Sequence, residues 1–203
     1  MSQVMLFIDG ENFLHKIEEI LKNEKTDAHN LLGIRVDIGK LIASALPALD
    51  INQVKFYAAK LHFYEQTAKK SKKLIAAQRK LRNLLVNQGV EFILAGNVRA
   101  QKVGTKSGAR FIFREKGVDV RLAVDMVALA CDKKLKTAVL CSSDSDLQPA
   151  VSELKRRGVE VVYLGFEAKP NKGLAFTCDR AILFRDSEVI NALQINKQRS
   201  NTK

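Results

Sequence analysis

Two carboxylates spaced i, i+2 close the segment Ser142-Ser143-Asp144-Ser145-Asp146, directly behind the apolar run Thr137-Ala138-Val139-Leu140-Cys141. A helical pattern then runs from Leu147 to Arg157, with Leu147, Val151 and Leu154 on one face. Strand, acids and helix in that order put Asp144 and Asp146 at the carboxyl end of a buried strand, the edge where open α/β sheets place their ligands. Two ionised carboxylates this close repel each other, and one proton or one cation resolves the repulsion. With oxygen donors and no neighbouring Cys or His, the matching ion is hard, Mg²⁺ or Mn²⁺. The competing reading is a helix cap, with Asp144 at the N-cap and Asp146 solvated in the first turn.

Asp9 stands in the same kind of place. Val4-Met5-Leu6-Phe7-Ile8 is an unbroken apolar run, most simply a central strand of a parallel sheet. Asp9-Gly10-Glu11-Asn12 then turns into a helical stretch, Phe13 to Asn23. A charge that ends a buried strand is costly unless paired or ligated, which favours a site role for Asp9 over a capping one. For Asn12, whose amide suits a carboxylate or a phosphate oxygen, capping competes on fair terms. Asp119 lies in the first turn of a helix that opens at Lys116 and runs to about Cys131, with Leu122, Met126 and Leu129 inward. Asp125 follows about 240° around that helix axis, so the two cannot serve one spot. Three or four carboxylates gathered without an internal cation fold poorly at neutral pH unless divalent metal fills the cluster.

The elements that must position these residues alternate. Further strands are expected at Val54–Ala59, Val90–Ala95 and Val159–Leu164, and helices at Val36–Leu46 and Tyr64–Gln88. A short helix over Gly173–Asp179 and a strand over Ala181–Phe184 close the series. Thr26–Gly33 reads as a polar loop, and Val98–Val103 with Ala109–Arg114 as a twisted hairpin around Gly104, Ser107 and Gly108. Alternation of this kind predicts βαβ units, hence an α/β three-layer sandwich around a central, mainly parallel sheet of Rossmann-like type. One domain over residues 1–190 is expected, with 191–203 as a basic C-terminal tail.

At 203 residues and a net charge of +12, the chain suits one basic globular domain whose natural partner is a polyanion. No apolar run approaches the roughly 20 residues needed to span a bilayer, so no membrane partner is expected. The N-terminus has no positive region before its first strand, and no signal peptide is expected. Cys131, Cys141 and Cys178 are widely spaced in apolar surroundings and read as reduced core thiols of a cytoplasmic protein. His15, His29 and His62 lack metal-ligand spacing and are expected at the surface.

Three stretches in this order and spacing resemble the NYN domain, in the LabA-like branch of the PIN-like nuclease superfamily. They are Phe7-Ile8-Asp9-Gly10-Glu11-Asn12, Lys116-Gly117-Val118-Asp119-Val120 with Leu122 and Asp125, and Ser142-Ser143-Asp144-Ser145-Asp146. The likeness extends to Gly158-Val159-Glu160-Val161 and Gly165-Phe166, and covers roughly residues 4 to 185. Ser143 stands where the family usually has Gly, and Leu147 where it usually has an aromatic residue. The resemblance implies a PIN-like fold and metal-dependent hydrolysis of RNA phosphodiesters by an activated water. It implies that Asp9, Asp119, Asp144 and Asp146 form the Mg²⁺ or Mn²⁺ site and that Asn12 supports it. Ser142, Ser143 and Asp125 are expected in supporting positions.

Charge placement points the same way. Between Lys60 and Lys116 stand 14 Lys and Arg against three acids, an excess of 11 that holds nearly all of the net charge. Lys69, Lys70, Lys72, Lys73, Arg79, Lys80 and Arg82 lie on the long helix, and Arg99, Lys102, Lys106, Arg110, Arg114 and Lys116 on the hairpin segment. A lysine-rich helix alone is more often a solvated face; its concentration beside a carboxylate site favours nucleic-acid binding, to single-stranded RNA ahead of duplex. Two alternatives stand beside the ribonuclease. A haloacid-dehalogenase-like phosphatase would need a second Asp where Glu11 stands, and a non-catalytic RNA-binding module would keep the fold alone. A homo-oligomer is left open.

Overall fold

The computed structural model describes residues 2–23, 35–105 and 108–194. Strand β1 (Gln3–Asp9) is the centre of a seven-stranded sheet, and helix α1 (Gly10–Asn23) follows it without a linker. Gly10 permits that tight turn, because a Cβ there would collide with the Phe56 ring and the Tyr57 carbonyl. The chain continues through β2 (Arg35–Val36), α2 (Ile38–Ala45), β3 (Gln53–Lys60), a single 3₁₀ turn and α3 (Ala68–Val86). Next come β4 (Glu91–Thr105), β5 (Gly108–Lys116), α4 (Val118–Cys131) and β6 (Leu135–Cys141). A 3₁₀ turn over Ser145–Leu147 leads to α5 (Gln148–Arg156), β7 (Glu160–Phe166), α6 (Lys172–Thr177), β8 (Arg180–Phe184), α7 (Asp186–Ala192) and β9 (Leu193–Gln194).

The strand order is β5-β4-β3-β1-β6-β7-β8, parallel throughout except for the antiparallel β4–β5 pair. Because strand side chains alternate between faces, β1 feeds two cores at once. Leu6 and Ile8 join Phe13, Ile17 and Ile20 of α1, Leu41 of α2, Leu85 of α3 and Val189 of α7. Met5 and Phe7 join Leu122 and Met126 of α4, Val151 of α5 and Leu174 of α6. This is the expected three-layer α/β sandwich, with a mainly parallel sheet buried on both faces. The Phe13 ring packs edge-on to Phe56 and tilted on Phe166, a cluster whose truncation at Phe13 would cost about 3–5 kcal/mol.

Several boundaries differ from the sequence reading for local reasons. The third expected strand and the first arm of the hairpin are one strand, β4, which turns at Gly96 in a left-handed conformation (φ +64°). Helix α2 is shorter than expected because Asp37 caps it, accepting the Lys40 N–H at 2.9 Å. The packed structure also runs past residue 190, since Ala192 and Leu193 are buried and β9 pairs with β2. The expected loop at 26–33, Lys106, His29 and residues 195–203 of the expected tail lie outside the described residues. The cysteines are unpaired; Cys141 and Cys178 are buried, whereas Cys131 is exposed. No helix among the described residues is long and apolar enough to cross a membrane.

Candidate carboxylate cleft

Asp9 ends β1 and Ser142 follows β6, and the parallel register Ile8↔Cys141 sets the two side by side. The Ser142 hydroxyl donates to Asp9 Oδ2 at 3.0 Å. Asn12, one turn into α1, donates its backbone N–H to Asp9 Oδ1 (3.2 Å) and its amide to Oδ2 (2.5 Å). Asp9 is almost fully buried, and burial outweighs these hydrogen bonds, so its carboxyl titrates above the usual range. The Asn12 Oδ1 meets the Ser143 hydroxyl, which ties α1 to the loop after β6.

That loop carries both readings made of Asp144. Its Oδ1 accepts the Asp146 N–H at 3.0 Å, a genuine N-cap of the 3₁₀ turn, while the same side chain lines the cleft. Asp146 is exposed and outside the cleft lining. The Asp144 N–H donates to the Ser142 Oγ at 3.1 Å, so one hydroxyl holds both acidic ends. Asp119 reaches the cleft from the first turn of α4, which starts at Gly117 in a left-handed conformation (φ +87°). Asp125 does not. It accepts from the Tyr57 hydroxyl at 3.1 Å and from Arg121 Nε at 2.7 Å, as its angular offset from Asp119 requires.

The cleft has a volume of about 610 Å³ and is lined by Asp9, Glu11, Asn12, His15, Glu115, Lys116, Gly117, Asp119, Val120 and Asp144. Glu11 and Glu115 are the acids that sequence reasoning missed. Glu115 reaches the site only through the β4–β5 pairing, opposite Val98, which no local pattern reveals. Burial, a hydrogen bond with Glu11, and the charges of Glu11, Asp9 and Asp119 push its carboxyl up to about 9. The cleft thus holds more carboxylates than it can ionise together. Asn171 was also missed; its amide donates to the Ser143 carbonyl at 2.8 Å and fixes the loop from behind.

These donors are hard oxygens and their excess negative charge suits a divalent cation such as Mg²⁺ or Mn²⁺. Among the described residues, no three His, Cys, Asp or Glu groups are gathered tightly enough to cage an ion as they stand. The fit is one of donor chemistry and charge.

Of the expected basic residues, Lys116 lines the cleft. Lys69, Lys70, Lys72, Lys73, Arg79, Lys80 and Arg82 are all exposed on α3, and Arg99, Arg114 and Lys116 are exposed on the β4–β5 arm. Lys102 and Arg110 belong to the same arm by backbone position. Arg99 and Arg114 face each other directly across the antiparallel pair.

The NYN domain model matches residues 3–186, nearly all of the described fold, and the chain belongs to the NYN domain family, a PIN-like nuclease family. No curated protein matches it. Among solved structures, the fold is similar to that of a protein of unknown function from Vibrio parahaemolyticus. The two share 17% identity at a TM-score of 0.57, over 90% of this chain and 93% of that one.

Proposed function

We propose that the chain is a metal-dependent ribonuclease of the LabA-like branch of the NYN family, cutting single-stranded RNA in the cytoplasm. The observation that carries the reading is the cleft itself: Asp9, Glu11, Glu115, Asp119 and Asp144 line one opening at the carboxyl edge of the sheet. Asp9, Asp119, Asp144 and Asp146 would hold Mg²⁺ or Mn²⁺. When bound, such an ion supplies a more acidic water and neutralises charge growing on the scissile phosphate.

The chain's own residues prepare that place. Asn12 and Ser142 fix the Asp9 carboxylate in one orientation, so little reorganisation is left for the reaction. Lys116 stands in the wall of a cleft otherwise dominated by acids, where its charge attracts the phosphate that the carboxylates alone would repel. The basic residues of α3 and the β4–β5 arm supply affinity. Arg99 directly opposite Arg114 disfavours the free protein, and a polyanion across the pair relieves that repulsion.

Labelled single-stranded RNA incubated with the purified protein and Mn²⁺, Mg²⁺ or EDTA tests the proposal, beside an Asp144→Asn variant. Cleavage with metal, and none in EDTA or by the variant, is expected. Cleavage that ignores both EDTA and the substitution would remove the carboxylate cleft from the chemistry.

A further inference from the structure

The segment between β3 and α3 presents one aromatic ring in an unusual setting. Phe63 is 49% exposed, and both of its neighbours are tied down. His62 Nε2 bonds to the Asn97 Oδ1 at 2.8 Å. On the other side, the Tyr64 hydroxyl donates to the Val98 carbonyl at 2.9 Å, and the Tyr64 N–H donates to the buried Ser71 Oγ at 3.3 Å. Phe63 therefore sits half-exposed between anchored residues on each side.

Its surroundings are basic. The Lys72 ammonium lies 6.0 Å from the Phe63 ring centre, at the outer limit of a cation–π contact. Phe113 is a useful contrast. Tyr64 packs edge-on to its ring and the Lys70 ammonium sits 4.7 Å above it, so that ring is already engaged. Phe63 stays half-exposed with the Lys72 ammonium over its ring, and the segment leads back to the cleft. Asn97, which holds His62, pairs across the strands with Lys116, a cleft-lining residue.

A flat aromatic face flanked by phosphate-binding cations is what an unpaired base requires: the ring stacks, the ammonium groups meet the backbone, and no sequence is read. A duplex cannot use it, because its bases are already stacked. We propose that Phe63 is a base-stacking site for single-stranded RNA, with Lys72 and its neighbours on α3 holding the adjacent phosphates. The site would select unpaired strands and fix the one that enters the cleft. This rests on the reading that RNA is the polyanion.

The test is RNA binding measured in EDTA, where cleavage plays no part, with a labelled single strand and a duplex of the same sequence. Phe63→Ala and Phe63→Leu should each weaken single-strand binding about tenfold, whereas Phe63→Trp should retain it. Leu keeps the apolar bulk and removes the flat face, so its loss separates stacking from packing. Duplex affinity and the salt dependence of single-strand binding should stay unchanged, since no phosphate contact is removed. Equal binding by wild type and Phe63→Leu, or an equal loss on duplex, would overturn the stacking site even if wild type cleaves RNA normally. Loss confined to single strands would support it even if the wild type proves inactive, and that result would count against the catalytic reading alone. Failure of the wild type to bind any RNA would overturn both.

Discussion

The carboxylate cleft is mainly acidic and the β4–β5 arm mainly basic, and they hold their charges in opposite ways. In the cleft the acids come from the ends of β1 and β5, the turn after β6 and the start of α4. Asp9 is held by Asn12 and Ser142, and Glu115 by Glu11. On the arm, Arg99 and Arg114 ride a long antiparallel pair and are exposed to solvent. The cleft can answer its repulsion by keeping a proton on Glu115; arginine has no such recourse. One region therefore suits a small cation that enters it, and the other a long anion that lies across it.

The largest effect should come from the cleft. Loss of supporting residues around a metal commonly costs ~10–100-fold, so Asp119→Asn, which removes a proposed ligand, should cut RNA cleavage by about a hundredfold or more. Binding in EDTA should hardly change. Asp146→Asn should cost less, because Asp146 is exposed and outside the cleft lining. Equal loss in the two variants, read from single-turnover rates, would mean that the turn rearranges around the ion.

The basic residues of α3 should respond in affinity alone. Changing Lys69, Lys70, Lys72 and Lys73 to Gln should flatten the slope of log K against log salt by up to about 3, at about 0.7 per phosphate contact. The loss should be alike for RNAs of different sequence, and cleavage at saturating RNA should persist. An unchanged slope would show α3 to be a solvated face and move the binding surface wholly onto the arm.

Smaller effects concern the free protein. The Glu115 carboxyl is raised from an ordinary 4.5 to about 9 on folding, so the folded state binds its proton more tightly than the unfolded one. Its contribution to stability is complete below pH 4.5 and is lost as pH rises towards 9. Glu115→Gln, which keeps a neutral side chain at every pH, should therefore raise the melting temperature more at mildly alkaline than at mildly acidic pH. A pH-independent change would place Glu115 outside the repulsive cluster. On the arm, Arg114→Gln removes a like charge opposite Arg99 and should stabilise the RNA-free protein by about 0.2–1 kcal/mol in chemical denaturation. Destabilisation would mean that the pair is already neutralised within the fold.

The two regions were unequally legible in the sequence. Asp9 and Asp144 could be placed because central parallel strands are continuous apolar runs, and a charge at the end of such a run marks the sheet edge. Asp119 followed from Gly117 and the inward stripe of α4. Glu11 and Glu115 were not found, because membership of the cleft depends for Glu115 on the pairing of β5 with β4, a non-local choice. Helix α7 escaped notice because seven residues with only Val189 and Ala192 buried carry too short a period to register. On the arm, the hairpin was visible from its turn residues, but the Arg99–Arg114 register was not.

The central claim, that the acidic cleft is a cation site, is tested most directly by counting Mn²⁺ on the purified protein. Free Mn²⁺ read by electron paramagnetic resonance at neutral pH should fall short of the total by about one or two ions per chain. Asp9→Asn, shown folded by its circular dichroism, should leave the added ion free. Wild type that leaves Mn²⁺ in solution, or a variant that binds it equally well, would contradict the account.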